Sequence, residues 1–286
     1  MTVRGVTFLI GAALAPLAQG ADLLVSPEWL AAHLGDARLA VLHVGSAADY
    51  EQGHIPGARL LTLGDISITG ERGLRLELPP AEALAAAFGK LGISDDTRIV
   101  LYAGTDSVQS ATRAWFTLDY AGAGERASLL DGGLALWRAQ GRPVTAEPPP
   151  PAAPAAFTVR PRPDLVVDAV WLARHLGDAG VAVLDARLPE FYTGANAGNM
   201  PRSGHIPGAH NVPYTSLLDG SRRLKTPDEL RALLAAPAHG PVVSYCHIGQ
   251  QATLLYFAAR LVGLDARLYD GSFQDWSGRP DLPVEK

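Results

Sequence analysis

The chain repeats itself, and the repeat limits the fold more than any other feature. Trp29–Ala37 reads WLAAHLGDA, and Trp171–Ala179 reads WLARHLGDA, 142 positions later. VLHV at Val41 returns as VLDA at Val183 with the same offset. GHIPGA at Gly53 recurs unchanged at Gly204 with an offset of 151, so the second copy carries about nine extra residues, within Thr193–Ser203 (TGANAGNMPRS). YAG…QSAT from Tyr102 matches YCHIGQQAT from Tyr245, and LDGGLALW from Leu130 matches YDGSFQDW from Tyr269. A chain of 286 residues that duplicates its motifs in order is two copies of one unit. Between the copies lies EPPPPAAPAA, Glu147–Ala156. Proline this dense is stiff and cannot join a sheet ladder, so it reads as a connector. The expected organisation is a first domain over 22–147, a linker over 148–156 and a second domain over 157–286.

Each copy alternates short apolar runs with helical patterns. AVLHV, RIVLY and ASLLD are strand-like in the first, and VAVLDA, PVVSY and ARLYD in the second. PEWLAAHL, TPDELRALLAA and ATLLYFAARLVGL have helical spacing. Alternating strand and helix predicts an α/β architecture: in each copy a mainly parallel sheet with helices on both faces. Ligands of such sheets sit outside the carboxyl ends of the strands.

Composition narrows the partners. With 24 basic and 29 acidic residues the net charge is -5, which gives no electrostatic case for nucleic acid or an anionic membrane. Arg4, the apolar run Val6–Leu17 and the small residues Ala18 and Gly20 read as a cleavable secretory signal over residues 1–20, with Ala21 as the mature N-terminus. A periplasmic or secreted protein follows from that reading, with no membrane contact after cleavage. Such proteins usually carry paired cysteines, yet this chain has one, Cys246.

Cys246 ends the strand-like run Pro241–Tyr245, and a helical pattern resumes at Ala252. Its loop amides and the following helix N-terminus stabilise negative charge on the sulfur, and Gly249 suits a tight arc that lets backbone approach a ligand. A thiol at a strand-to-helix turn fits a nucleophile better than an inert buried side chain.

The two GHIPGA motifs, the DAR at Asp185–Arg187, the C-x-x-G-x-x-A loop of Cys246–Ala252 and the DGG or DGS before a tryptophan together resemble the tandem-domain rhodanese (thiosulfate or 3-mercaptopyruvate sulfurtransferase) family. The resemblance covers essentially the whole chain after residue 20. It implies two rhodanese-like domains, a catalytic C-terminal one, and a persulfide on Cys246 that passes a sulfane sulfur from a donor such as thiosulfate to cyanide or a thiol. It implies neither organic cofactor nor metal. In the first copy the cysteine position is Ala103, and the loop Gly104–Ser110 is two residues longer, so that half is expected to be a non-catalytic wall of the cleft.

Some positions depart from the family pattern. His247 and Ile248 stand where thiosulfate-type members carry basic residues and mercaptopyruvate-type members carry Gly and Ser, and Phe191 stands where both usually have a second arginine. Mercaptopyruvate is therefore the less expected donor. The candidate substrate-binding residues are Arg187, Arg202, His247, Ile248, Gly249, Gln250 and Gln251, with Arg187 open to a structural ion pair instead. His247 would be a fair donor to a bound sulfur oxyanion, particularly if protonated. His54, His205 and Asp185 read as structural. The partners are a small-molecule donor and acceptor, and the chain is expected to be a monomer.

Two rivals remain to be weighed. A phosphatase on this fold needs an arginine six residues after the cysteine, where this chain has Ala252. The phosphatase reading is rejected. A non-catalytic persulfide carrier that delivers sulfur to a protein partner stays open as the alternative.

Overall fold

A computed structural model describes residues 22–70, 72–104, 108–234 and 240–286. The signal reading over residues 1–20, and the centre of the longer loop after Ala103, lie outside the described residues.

The first half runs β1 (Leu24–Val25), α1 (Pro27–His33), β2 (Leu39–Val44), α2 (Ala47–Gln52), β3 (Arg59–Leu61), α3 (Ala81–Lys90), β4 (Arg98–Ala103), α4 (Val108–Tyr120), β5 (Ala127–Leu130) and α5 (Gly133–Ala139). The second runs β6 (Val166–Val167), α6 (Ala169–Arg174), β7 (Ala182–Asp185), α7 (Pro189–Tyr192), β8 (His210–Asn211), α8 (Pro227–Leu234), β9 (Val242–Tyr245), α9 (Ala252–Leu261), β10 (Ala266–Tyr269) and α10 (Ser272–Ser277). The sheet orders are β1-β5-β4-β2-β3 and β6-β10-β9-β7-β8, and every strand pairing is parallel. The α/β architecture expected from the alternation is the one observed. The edge strands β1, β3, β6 and β8 have only two or three residues, too short to leave a periodic signal.

Local chemistry repeats with the sequence. Ser26 caps α1 by accepting from Trp29 N at 3.1 Å, and Asp168 caps α6 by accepting from Trp171 N at 2.7 Å. One turn later His33 stacks on Trp29, as His175 does on Trp171, each with centroids 4.0 Å apart. Both GHIPGA histidines sit in an isolated bridge, His54 with Thr145 and His205 with Glu285, with Nδ1 against the carbonyls of Tyr50 and Tyr192 at 2.9 Å.

The halves meet along α4 and α9, both almost wholly buried, in a core shared between them. Positions 141 apart face one another across this contact. Thr112 Oγ1 lies 2.8 Å from Thr253 Oγ1, and Arg260 Nη1 donates to Asp119 at 2.7 Å. Trp115 meets Phe257 edge-on at 4.8 Å, and Phe116 meets Tyr256 at 5.0 Å. Four buried aromatic rings contribute on the order of 2 kcal/mol each, which ties the halves together more firmly than a proline linker could.

The domain boundary needs one correction. Residues 157–162, assigned to the second domain by sequence, pack on the first half. Phe157 meets Phe88 at 5.2 Å, Arg160 N and Arg162 N donate to the carbonyls of Ala121 and Tyr120, and Arg162 pairs with Asp119 at 2.8 Å. The linker ends in proline and alanine, and nothing in composition shows which half its continuation covers.

Candidate active site

β9 is a central strand of its sheet, and Cys246 follows its carboxyl end. The residue is 1% exposed. Cys246 N donates to Ser272 Oγ at 3.2 Å, and the carbonyls of Cys246 and His247 accept from Phe273 N and Gln274 N, each at 2.9 Å. The start of α10 thus fixes the start of the loop. Among the described residues no protein acceptor takes the amides of His247, Ile248, Gly249, Gln250 or Gln251. Five unspent amides before α9 form a cradle for negative charge. Gly249 has φ +80°, and a Cβ there would lie 2.7 Å from Asp270 O, so the arc requires glycine.

The expected cations are spent elsewhere. Arg187 is buried and bonds Asp185 through Nε at 3.0 and 3.1 Å and through Nη2 at 2.6 Å, with a further bond from Nη2 to Gly204 O at 2.7 Å. Its guanidinium lies 4.1 Å from the Phe273 ring centroid. The structural ion pair, the second option for Arg187, is the arrangement present. Arg202 is a clearer correction: it donates to the carbonyls of Trp276, Ser277, Arg279 and Leu282 at 2.6–2.9 Å, closing the C-terminal end of α10. The inserted segment uses this arginine to hold the last residues of the chain.

His247 packs edge-on against Phe191 at 4.6 Å, and a Cβ on Gly198 would lie 2.7 Å from its Nε2. Burial first, and then the nearby Arg187 charge, push its pKa below the ordinary histidine value. The shift favours the neutral imidazole, which still has one N–H to donate. Its Nε2 is buried without a hydrogen-bond partner, as is Gln251 Oε1. Gln250 Nε2 reaches across to Ser110 at 3.2 Å, and Ile248 is half-buried.

A cleft of about 400 Å³ opens beside the loop, lined by Arg75, Phe191, Asn196, Gly198, Asn199, Met200 and His247. One wall is the inserted segment, and Arg75 arrives from the first half. Sequence reasoning missed three contributors. Arg113 on α4 is fully buried and donates to Asp270 at 2.5 Å and to Gly249 O at 3.3 Å, holding the Cys246 loop from the other half. Arg75 shares the RLxxP pattern with Arg223, the signal that could have found it. Ser272 has φ +51° where the first half has Gly133 at φ +53°, so DGS against DGG was a legible difference. Among the described residues no group of three or more His, Cys, Asp or Glu could hold a metal ion.

The corresponding place in the first half is built differently. Ala103 ends β4, His43 replaces Asp185, and His43 Nε2 lies 3.1 Å from Asp49 Oδ2. A Cβ on Gly104 would run into that carboxylate. A smaller, mainly apolar cavity of about 120 Å³ lies here, lined by Leu101, Ala103, Leu129, Leu134 and Leu224 among others.

Comparison with known proteins agrees with this geometry. The rhodanese-like domain model matches residues 26–140 and 168–279. The chain belongs to the rhodanese-like family. The thiosulfate sulfurtransferase of Azotobacter vinelandii is 33% identical over 268 residues, covering 92% of this chain and 97% of that protein. The probable 3-mercaptopyruvate sulfurtransferase of Pseudomonas aeruginosa is 35% identical over 277 residues, covering 91% and 97%. Sulfur carrier protein TtuD of Thermus thermophilus is 30% identical, covering 93% and 97%. Among solved structures, wild-type EanB superposes with a TM-score of 0.81 over 95% of this chain and 71% of its own, and YnjE with 0.78 over 94% and 70%. Both are 23% identical and establish the shared rhodanese-like fold.

Proposed function

We propose that this sulfurtransferase moves a sulfane sulfur from a donor such as thiosulfate to a thiophilic acceptor through a persulfide on Cys246. The observation that carries the reading is the lone cysteine at the head of a loop whose five following amides have no protein acceptor among the described residues. The Cys246 thiolate attacks the outer sulfur of thiosulfate. A new S–S bond forms, the old one breaks, and sulfite leaves with the bonding pair. The persulfide keeps one negative charge on its outer sulfur, and the amides of His247–Gln251, which have no protein acceptor among the described residues, are the groups that would stabilise it. Cyanide or a thiol then takes the outer sulfur and returns the thiolate.

Thiocyanate release from thiosulfate and cyanide tests this directly: the wild type turns over and Cys246→Ala does not. One relative is a sulfur carrier, which supports the carrier as the second reading. A stable persulfide with negligible turnover would establish it.

The proposal extends to export and assembly. Arg4, the apolar run Val6–Leu17 and the Ala18/Gly20 pair support a cleaved signal and a periplasmic or secreted protein. N-terminal sequencing of protein recovered outside the cytoplasm should begin at Ala21, and an intact N-terminus would count against it. No described helix is long and apolar enough to cross a membrane. The apolar residues of α4 and α9 are buried against each other in the shared core, which supports a monomer, tested by light scattering.

A further inference from the structure

The donor is an anion, yet Arg187 and Arg202 are both engaged elsewhere. The remaining guanidinium at the cleft is Arg75, which is exposed and makes no ion pair among the described residues.

Its segment is held in place. Arg75 N donates to Gln274 Oε1 at 3.0 Å, Gln274 Nε2 donates to Gly73 O at 3.1 Å, and Arg72 pairs with Asp275 at 2.7 Å. All three anchors lie on α10, the helix whose first amides bond the carbonyls of Cys246 and His247. The position of Arg75 is therefore fixed relative to the nucleophile, although the residue belongs to the other half.

The internal repeat explains why this arginine is unpaired. Arg75-Leu76 and Arg223-Leu224 occupy the same place in the RLxxP pattern. In one direction across the interface, Arg223 Nε donates to Asp131 of DGG at 2.8 Å. In the other direction Arg75 would meet Asp270 of DGS, but Arg113 already holds that carboxylate. The position matching Arg113 in the second half is Leu254, which has no charge to offer Asp131. One substitution between the copies, arginine on α4 against leucine on α9, leaves Arg75 without a carboxylate partner among the described residues, in a cleft that it shares with His247, the residue after the cysteine.

We propose that Arg75, supplied by the non-catalytic half, binds the anionic oxygens of the sulfur donor while its sulfane sulfur faces Cys246. The proposal rests on the persulfide reading above and adds the cation that the cysteine loop lacks. A guanidinium suits sulfonyl or carboxylate oxygens, which it can bond in pairs. Asn196 and Asn199 are amides within the same lining, and Phe191 and Met200 face the remainder of the donor.

The test measures the two half-reactions separately in the full-length protein, with thiosulfate and methanethiosulfonate as donors. In Arg75→Gln the loading of Cys246 should show a KM raised about tenfold to a hundredfold with kcat changed far less, as expected for loss of one charge-assisted contact made in the ground state. Discharge of preloaded persulfide to cyanide should stay within a fewfold of wild type. Arg75→Lys should recover part of the loss, and the salt dependence of loading seen in wild type should flatten in Arg75→Gln. Wild-type KM and salt dependence in Arg75→Gln, with a normal persulfide on Cys246, would overturn the Arg75 assignment and leave the persulfide reading intact. No persulfide on Cys246 in either protein would overturn both.

Discussion

The two halves share sequence motifs, strand order and helix caps, and they differ at the few residues that matter for chemistry. In the second half a cysteine follows the central strand, Asp185 and Arg187 support the loop beneath it, and a left-handed serine anchors its amide. In the first half the same places hold Ala103, a His43–Asp49 pair and Gly133. The first half has not become a passive copy. It supplies Arg113 against the Cys246 loop, the segment around Arg72 and Arg75 against α10, and half of the α4–α9 core. One copy carries the cysteine, and the other holds the loop that follows it.

The sharpest break of this comparison is at the nucleophile. Cys246→Ala should lower turnover by at least about 10³-fold, since nothing else among the loop residues can accept sulfur. Ala103→Cys should not create a second centre, because the neighbouring Asp49 carboxylate opposes the negative charge that transfer requires. A donor-dependent burst of two sulfurs per chain in Ala103→Cys would show that the halves differ in one residue only.

The next effect concerns the join between the copies. Asp119 is fully buried and accepts from Arg162, Tyr256 and Arg260. Asp119→Ala removes the acceptor of Tyr256 and of two partly exposed guanidinium groups and should cost about 2–3 kcal/mol in denaturant unfolding. The exposed Asp228–Arg231 pair, broken by Asp228→Ala, should cost less than about 1 kcal/mol. Similar losses from both would mean that the α4–α9 contact does not carry the stability assigned to it.

Ser272→Gly makes the second half resemble the first at one backbone position. The left-handed conformation costs a serine about 1–2 kcal/mol, and the lost bonds to Cys246 N and Tyr269 O offset its relief, so stability should change by less than about 1 kcal/mol. Persulfide loading should nevertheless slow by about two- to tenfold, because the Cys246 amide is no longer held. Unchanged loading rates would show that the serine serves the backbone alone.

The smallest effect is on pH dependence. His247 has a folded pKa below its unfolded value of 6.5, so the unfolded chain binds the proton more readily. Its contribution to stability is present above pH 6.5 and is lost as pH falls through the depressed folded value. Thermal unfolding of wild type should therefore show an acid-limb decline that is shallower in His247→Gln. Identical acid limbs would place the imidazole in solvent.

Much of the architecture was legible because repeats and apolar runs are written locally. The strands, the longer helices and Cys246 at a strand-to-helix turn each depend on a few consecutive residues. The cations were not legible for a complementary reason. Whether Arg187, Arg202, Arg113 or Arg75 is free depends on which carboxylate or carbonyl the fold brings to it, and those partners lie up to 157 positions away. Arg202 is a candidate by sequence, yet its partners are the four carbonyls of Trp276, Ser277, Arg279 and Leu282. Residues 157–162 were misplaced similarly, because Phe157 finds its ring partner, Phe88, in the other half.

The central claim is that sulfur travels on Cys246, and intact mass spectrometry after donor treatment tests it most directly. The account predicts a gain of one sulfur atom on the wild-type chain, mapped to the peptide containing Cys246, removed by cyanide with release of thiocyanate, and absent from Cys246→Ala. Sustained thiocyanate formation with no sulfur adduct on that peptide, or turnover persisting in Cys246→Ala, would contradict it.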